Sequence, residues 1–234
     1  PAVPDTVSWA RYWGLDSGFV FLQDPLPTKL DVDFLPLPSL ACDVVEQTEE
    51  YVIQRDRWGA LSRSLRVGIR SIPQYASFAV RDREDWRRFR VGLDPLDPAR
   101  YPADWQERKR QWQVRDYPLA LHIHGWYGLL RELMGVEQLS LAFYDQPALI
   151  EEICEFWADF IVQLYARALA EVQPDYVLFW EDLAYKTGPL LSPQQFRRFF
   201  LAHYRRVIDH FRSRGIDTFM VDSDGNIDLI TPLW

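Results

Sequence analysis

A parallel α/β fold is what this sequence predicts, and three observations carry the prediction. After residue 118 a unit of buried strand, polar loop and amphipathic helix occurs three times. Each of the three strands is short and almost continuously apolar, as expected of strands covered on both faces. Each ends in a polar cluster, at residues 124–127, 181–186 and 222–226. In such folds ligands bind at the carboxyl ends of the strands.

The elements follow in order. Residues 1–40 are proline-rich and aperiodic; Pro25, Pro27, Pro36 and Pro38 break any long element, leaving an arm with one short helix over 8–13. Alternation of apolar and polar residues predicts strands over 42–48 and 50–55, and Asp56-Arg57-Trp58-Gly59 has turn chemistry before a strand over 60–65. A small antiparallel hairpin region is therefore expected in the N-terminal third. Asp82 is placed to cap a helix running to about Arg90, with Glu84 and Asp85 in the turn where the helix dipole favours negative charge. Residues 103–114 form a second amphipathic helix. Residues 1–117 are thus arm, hairpin and early helices, and residues 118–234 are three consecutive βα units.

In the second part, strands are expected over 119–123, 176–180 and 218–221. The first leads through a glycine-containing loop into a helix ending at Met134. Pro147, at a position where a missing amide proton costs nothing, opens the longest helix, striped by Ile150, Ile153, Trp157, Phe160, Ile161 and Leu164. Ser192-Pro193 caps a helix through Phe211, closed by Gly215. Residues 226–234 read as the opening of another helix.

Composition narrows the function classes. Nearly half the residues are apolar and 15% are aromatic, which argues against disorder. A net charge of −8 repels polyanions, and the arginine-rich stretches at 81–90 and 197–206 have the spacing of solvated helix faces; no nucleic-acid partner is expected. Cys42 and Cys154 form neither a disulfide framework nor a CxxC metal pattern, consistent with a reducing, cytoplasmic setting. No apolar run approaches the ~20 residues of a membrane span. No strand tip carries a GxGxxG or Walker pattern, which disfavours nucleotide-binding versions of the fold.

The polar tips hold the candidate site. Glu181 and Asp182 follow a strand directly, so their side chains point to opposite sides. One faces a pocket while the other pairs with Lys186 or Arg131; the competing reading is a structural carboxylate bonded to backbone amides. Asp222 and Asp224 share a face at i, i+2 spacing and, with Asn226, could hold a hard cation such as Mg2+ or Ca2+, against a reading of Asp224-Gly225-Asn226 as turn chemistry. His122 and His124 also share a face, but no third metal ligand is visible near them, which favours buried or loop-bonded histidines. Trp126, Tyr127 and Tyr185 are candidate pocket walls suited to a tetrapyrrole or aryl substrate.

Four motifs, in order, carry a resemblance. Gly125-Trp126-Tyr127-Gly128-Leu129-Leu130-Arg131-Glu132-Leu133-Met134-Gly135 resembles the G-x-x-G-x-L-R-x-x-M-G segment of uroporphyrinogen decarboxylase-like proteins. Phe143-Tyr144-Asp145-Gln146-Pro147 resembles the D-x-P that opens their next helix. The run from Glu181-Asp182 through Lys186 and Gly188-Pro189 to Ser192-Pro193 resembles their E-D-x-A-x-K-x-G-P-x-x-S-P loop. Val221-Asp222-Ser223-Asp224-Gly225-Asn226 is similar to the D-x-D-G strand end of a less characterised branch. The resemblance covers residues 118–234 and is loose before them.

It implies a (β/α)8 TIM-barrel-like fold, incomplete in this chain, with further strands after Trp234. It also implies either tetrapyrrole decarboxylation or methyl transfer between corrinoids and other acceptors. The chain departs from both. The decarboxylases' arginine-rich signature and early aspartate are absent around residues 69–80, and their strand-end serine falls at about Asp182. The zinc methyltransferases' His-x-Cys pair is replaced by Asp222 and Asp224, so no intact zinc motif remains.

The first expectation is a methyltransferase working with a corrinoid-carrying partner protein. In it Glu181, Asp182 and Asp222 are catalytic, and His124, Trp126, Tyr127, Arg131, Tyr185 and Lys186 bind substrate. Asp222 and Asp224 are the candidate metal ligands. The alternatives are a uroporphyrinogen decarboxylase and a non-catalytic tetrapyrrole- or corrinoid-binding scaffold. An open barrel flank has to be covered by further strands or by another chain, and a homodimer is expected.

Overall fold

A computed structural model describes residues 28–38, 43–66 and 73–234. The short helix expected over 8–13, Pro25, Pro27 and Cys42 lie outside the described residues.

The first part is a four-stranded antiparallel sheet with strands in chain order: β1 (Val44–Gln47), β2 (Tyr51–Arg55), β3 (Leu61–Leu65) and β4 (Gln74–Ser77). The β2–β3 turn forms as its chemistry predicts. Asp56 accepts hydrogen bonds on its carboxylate from the amides of Trp58 and Ala60, both 2.9 Å, and Gly59 takes φ +87°. β4 was not expected; its four residues are all exposed, so no buried face marks it in the sequence.

Helices α1 (Arg83–Phe89), capped by Asp82 on the amides of Glu84 and Asp85, and α2 (Trp105–Gln113) follow. The parallel sheet then forms: β5 (Ala120–His124), β6 (Tyr176–Trp180) and β9 (Thr218–Asp222), adjacent in chain order. Lys29 bridges Ala120 in parallel, so residues 28–30 extend the sheet beyond β5. Between the strands run α3 (Trp126–Met134), α4 (Val136–Asp145), α5 (Pro147–Glu171), α6 (Pro193–Phe199) and α7 (Leu201–Arg212). A two-residue ladder of β7 (Ala184–Tyr185) with β8 (Gly188–Pro189) precedes α6. This is a mixed α/β layout of consecutive βα units, with a separate antiparallel sheet.

Three helical expectations are corrected. A further helix, α4, follows α3, because Gly135 takes φ +73° and restarts the chain in a new direction. The long helix expected from Ser192 is two helices broken at Phe200, although the Ser192–Gln195 capping box forms as expected. Residues 226–234 do not open an α-helix. Asn226 accepts the amide of Asp228 at 2.9 Å in a local turn, and only a 3-10 turn, Thr231–Leu233, follows.

In-phase parallel pairing gives the sheet two unlike faces. Leu121, Ile123, Val177 and Phe179 are buried against the helices, with Phe219 and Val221 beside them. The other face carries rows of aligned residues: His122, Leu178 and Met220, then His124, Trp180 and Asp222. We call this the inward face. A further tie holds the early segments together. Arg100, 1% exposed, donates to the carbonyls of Asp33 (2.9 Å), Leu35 (2.8 Å), Gly92 (2.9 Å) and Asp94.

Candidate functional site

The strand tips are stitched together by main-chain bonds. Gly125 N donates to the Trp180 carbonyl at 2.8 Å, and the amides of Glu181 (2.9 Å) and Asp182 (3.2 Å) converge on the Asp222 carbonyl. Leu183 N donates to Ser223 Oγ at 3.0 Å, and Asn226 N to the Tyr185 carbonyl at 2.9 Å. The polar ends of β5, β6 and β9 therefore form one mouth.

Glu181 and Asp182 turn opposite ways, as neighbours on an extended chain do. Glu181 is fully buried on the helix side. Its carboxylate accepts the amides of Trp126 (3.0 Å) and Gly128 (2.7 Å) and the hydroxyl of Tyr204. It thereby caps α3, whose own N-cap residue, Gly125, has no side chain to do so. Burial pushes this carboxyl up to about 7, while Tyr204 and the amide donors of the first turn pull it back. In this arrangement Glu181 is a positioning residue.

Asp182 sits at φ +44°, a left-handed backbone that a non-glycine residue adopts at a cost. The turn brings its carboxylate onto the Arg131 guanidinium, which also donates to the Asp182 carbonyl at 2.5 Å. Arg131 lies over the Trp180 ring, 5.5 Å from its centroid. Its charge is thus committed within the protein.

Asp222 ends β9 on the inward face. Among the described residues its carboxylate has no hydrogen-bond or ion-pair partner. Burial raises its pKa, and the neighbouring charges of Asp224 and Asp182 raise it further. Asp224 is exposed. Among the described residues no group of three or more His, Cys, Asp or Glu side chains is arranged to hold a metal ion, so Asp222 and Asp224 stand without a third ligand. With no imidazole or thiolate grouped with them among the described residues, the two carboxylates do not make up a zinc centre.

On β5, His124 packs against Trp180 (4.6 Å between centroids), Phe34 (5.1 Å) and Trp58 (5.2 Å). Trp58 is the hairpin-turn residue, so the antiparallel sheet reaches the mouth. Burial holds the His122 pKa down at about 4 and the His124 pKa down at about 3.

The other expected binding residues scatter. Trp126 is fully buried behind the sheet, donates to the Cys154 carbonyl at 3.1 Å and packs on Tyr204, leaving no surface for a ligand. Tyr127 is also fully buried, with a hydroxyl that has no hydrogen-bond partner. Tyr185, 65% exposed, and Lys186 project to solvent.

Sequence reasoning missed Trp180, which the alternation from His124 and Asp222 could have placed in their row. It missed Trp58 and Phe34, whose contacts come from distant segments. Glu132 was also missed; its carboxyl is raised to about 7, chiefly by burial and then by Asp56 across the hairpin turn.

The profile of the family described as Uroporphyrinogen decarboxylase (URO-D) matches residues 63–226, more than half of the chain. The chain belongs to the uroporphyrinogen decarboxylase family. The chain is similar to a methyltransferase from Methanosarcina mazei, at 14% identity and a TM-score of 0.47. That alignment covers 96% of this chain and 56% of the other, so the URO-D chain described here spans little more than half the length of that structure. Comparison with curated proteins finds no match. Among the described residues no helix is long and apolar enough to cross a membrane.

Proposed function

We propose that this URO-D-family chain belongs to an enzyme of methyl transfer acting on a neutral or cationic acceptor. The observation that supports this over tetrapyrrole decarboxylation is the charge of the mouth. Asp182, Asp222 and Asp224 gather at two adjacent strand tips, and the nearby cation, Arg131, is bound to Asp182. A substrate bearing many carboxylates would meet like charge there, whereas an acceptor that carries or releases a proton would be drawn in.

In this reading Asp222 is the catalytic base. It takes the proton that leaves the acceptor's N–H, O–H or S–H as that atom gains the methyl group. Its raised pKa brings it toward the range in which a carboxylate is an effective base. Arg131 fixes the turn at Asp182, Trp180 and His124 form the floor, and Glu181 holds the start of α3 against the β6 tip. A corrinoid carried on a partner protein would supply the methyl group.

The test is methyl transfer from a methylated corrinoid partner to a protic acceptor by the full-length protein, with Asp222→Asn as the variant. Loss of at least ~100-fold in rate with unchanged folding is expected of a general base. Wild-type rates in Asp222→Asn remove it from the mechanism. Coproporphyrinogen formed from uroporphyrinogen would establish decarboxylation instead, and ligand binding without turnover a scaffold.

A further inference from the structure

We propose that His122 and His124, with the adjoining face of Trp180, form a recognition step for a flat ligand whose inserted end is an uncharged hydrogen-bonding group, such as a hydroxyl, an amide or a ring N–H. The two imidazoles lie one pleat apart on the inward face, with centroids 6.3 Å from each other. His122 Nε2 and His124 Nδ1 are buried, and neither has a hydrogen-bond partner among the described residues. Buried polar side-chain atoms are normally satisfied, and this chain satisfies Glu181 three times over on the opposite face. Two adjacent unmet groups on one face are what a binding surface leaves for its ligand.

The surroundings select the ligand's chemistry. A neutral imidazole offers one donor and one acceptor. Around His124 stand three aromatic rings, Phe34, Trp58 and Trp180, and no countercharge. An ionised group placed there would lose its hydration and find no partner, whereas a neutral polar group would lose little. The exposed Lys29 is the charged side chain whose field reaches His122, and it opposes protonation of that ring. Trp180 lies in register between His124 and Asp222, which puts the imidazole and the carboxylate two strand spacings apart, roughly 10 Å. A ring laid on Trp180 can therefore touch the histidines with one end and the carboxylate with the other.

The inference rests on the proposed function only for the location of the ligand. Phenol and benzoate are matched probes, flat rings differing in the charge of one substituent. Long-range 1H–15N correlation of the histidine side chains in the folded chain at pH 7.5 reads binding without turnover. Phenol should shift the His122 and His124 ring nitrogens saturably, with benzoate at least tenfold weaker. His122→Ala and His124→Ala should each weaken phenol at least tenfold, and His124→Gln, which keeps a hydrogen-bonding group, should recover part of the loss. Benzoate binding as tightly as phenol, no saturable shift with phenol, or unchanged phenol binding in folded alanine variants overturns the proposal. Phenol binding without methyl transfer would sink the proposed reaction alone, and methyl transfer without phenol binding would sink the histidine step alone.

Discussion

The two faces of the parallel sheet treat their polar groups in opposite ways. On the helix side Glu181 is fully buried and meets three donors. On the inward side His122 Nε2 and His124 Nδ1 are buried with none, and the Asp222 carboxylate stands beside like charges. The residues come from the same three strands, so burial alone does not separate structural from functional polar groups. In the proposed reading satisfaction does: Glu181, a candidate acid by position, is bonded as a cap, and the unmet imidazoles of the inward face are left for a ligand.

The comparison can be broken most sharply at Glu181. Glu181→Ala leaves two α3 amides and the Tyr204 hydroxyl without an acceptor, and should cost about 3–5 kcal/mol in denaturant unfolding. A loss under about 1 kcal/mol would mean that the cap is not structural. Next comes Gly128. A Cβ there would lie 2.2 Å from the Trp180 carbonyl oxygen, a backbone atom that cannot step aside without moving β6. Gly128→Ala should cost about 2–3 kcal/mol by the same measurement.

The inward face predicts a pH effect of known sign. Both histidines have folded pKa values below the ordinary 6.5, at about 4 and about 3. The unfolded chain therefore takes up protons first as pH falls, and the stability that these rings contribute is fully present above pH 6.5 and lost progressively toward pH 4 and below. Glu132 and Glu181, raised to about 7, act in the opposite direction over the same interval, so the informative quantity is a difference. Between pH 6.5 and 5.5 the wild type should lose roughly 2 kcal/mol more than the His122→Gln/His124→Gln double variant. Parallel curves would show that the rings are not buried neutral. The smallest effect is expected outside both faces. Tyr185→Ala, at a residue 65% exposed, should change stability by no more than about 0.5 kcal/mol.

The same contrast explains what could be read from sequence. β5, β6 and β9 were legible because strands buried on both faces are apolar throughout. The opposed directions of Glu181 and Asp182 followed from the pleat. What each side chain meets was not legible, because two donors to Glu181 lie more than fifty residues away on α3 and the third, Tyr204, on α7. Trp126 looked like a pocket wall because it follows a strand tip, but the first turn of α3 swings it behind the sheet. The break at Phe200 was hidden because the apolar spacing runs through it unchanged, and β4 was hidden because none of its residues is buried.

Arg100 has a consequence for how this chain can change. Four carbonyls from two stretches of backbone meet on one guanidinium. A lysine could not serve them, since an ammonium offers three donors from a single point instead of a five-donor fork. The position is closed even to the chemically nearest substitute. Any redesign of this region must therefore keep that one guanidinium.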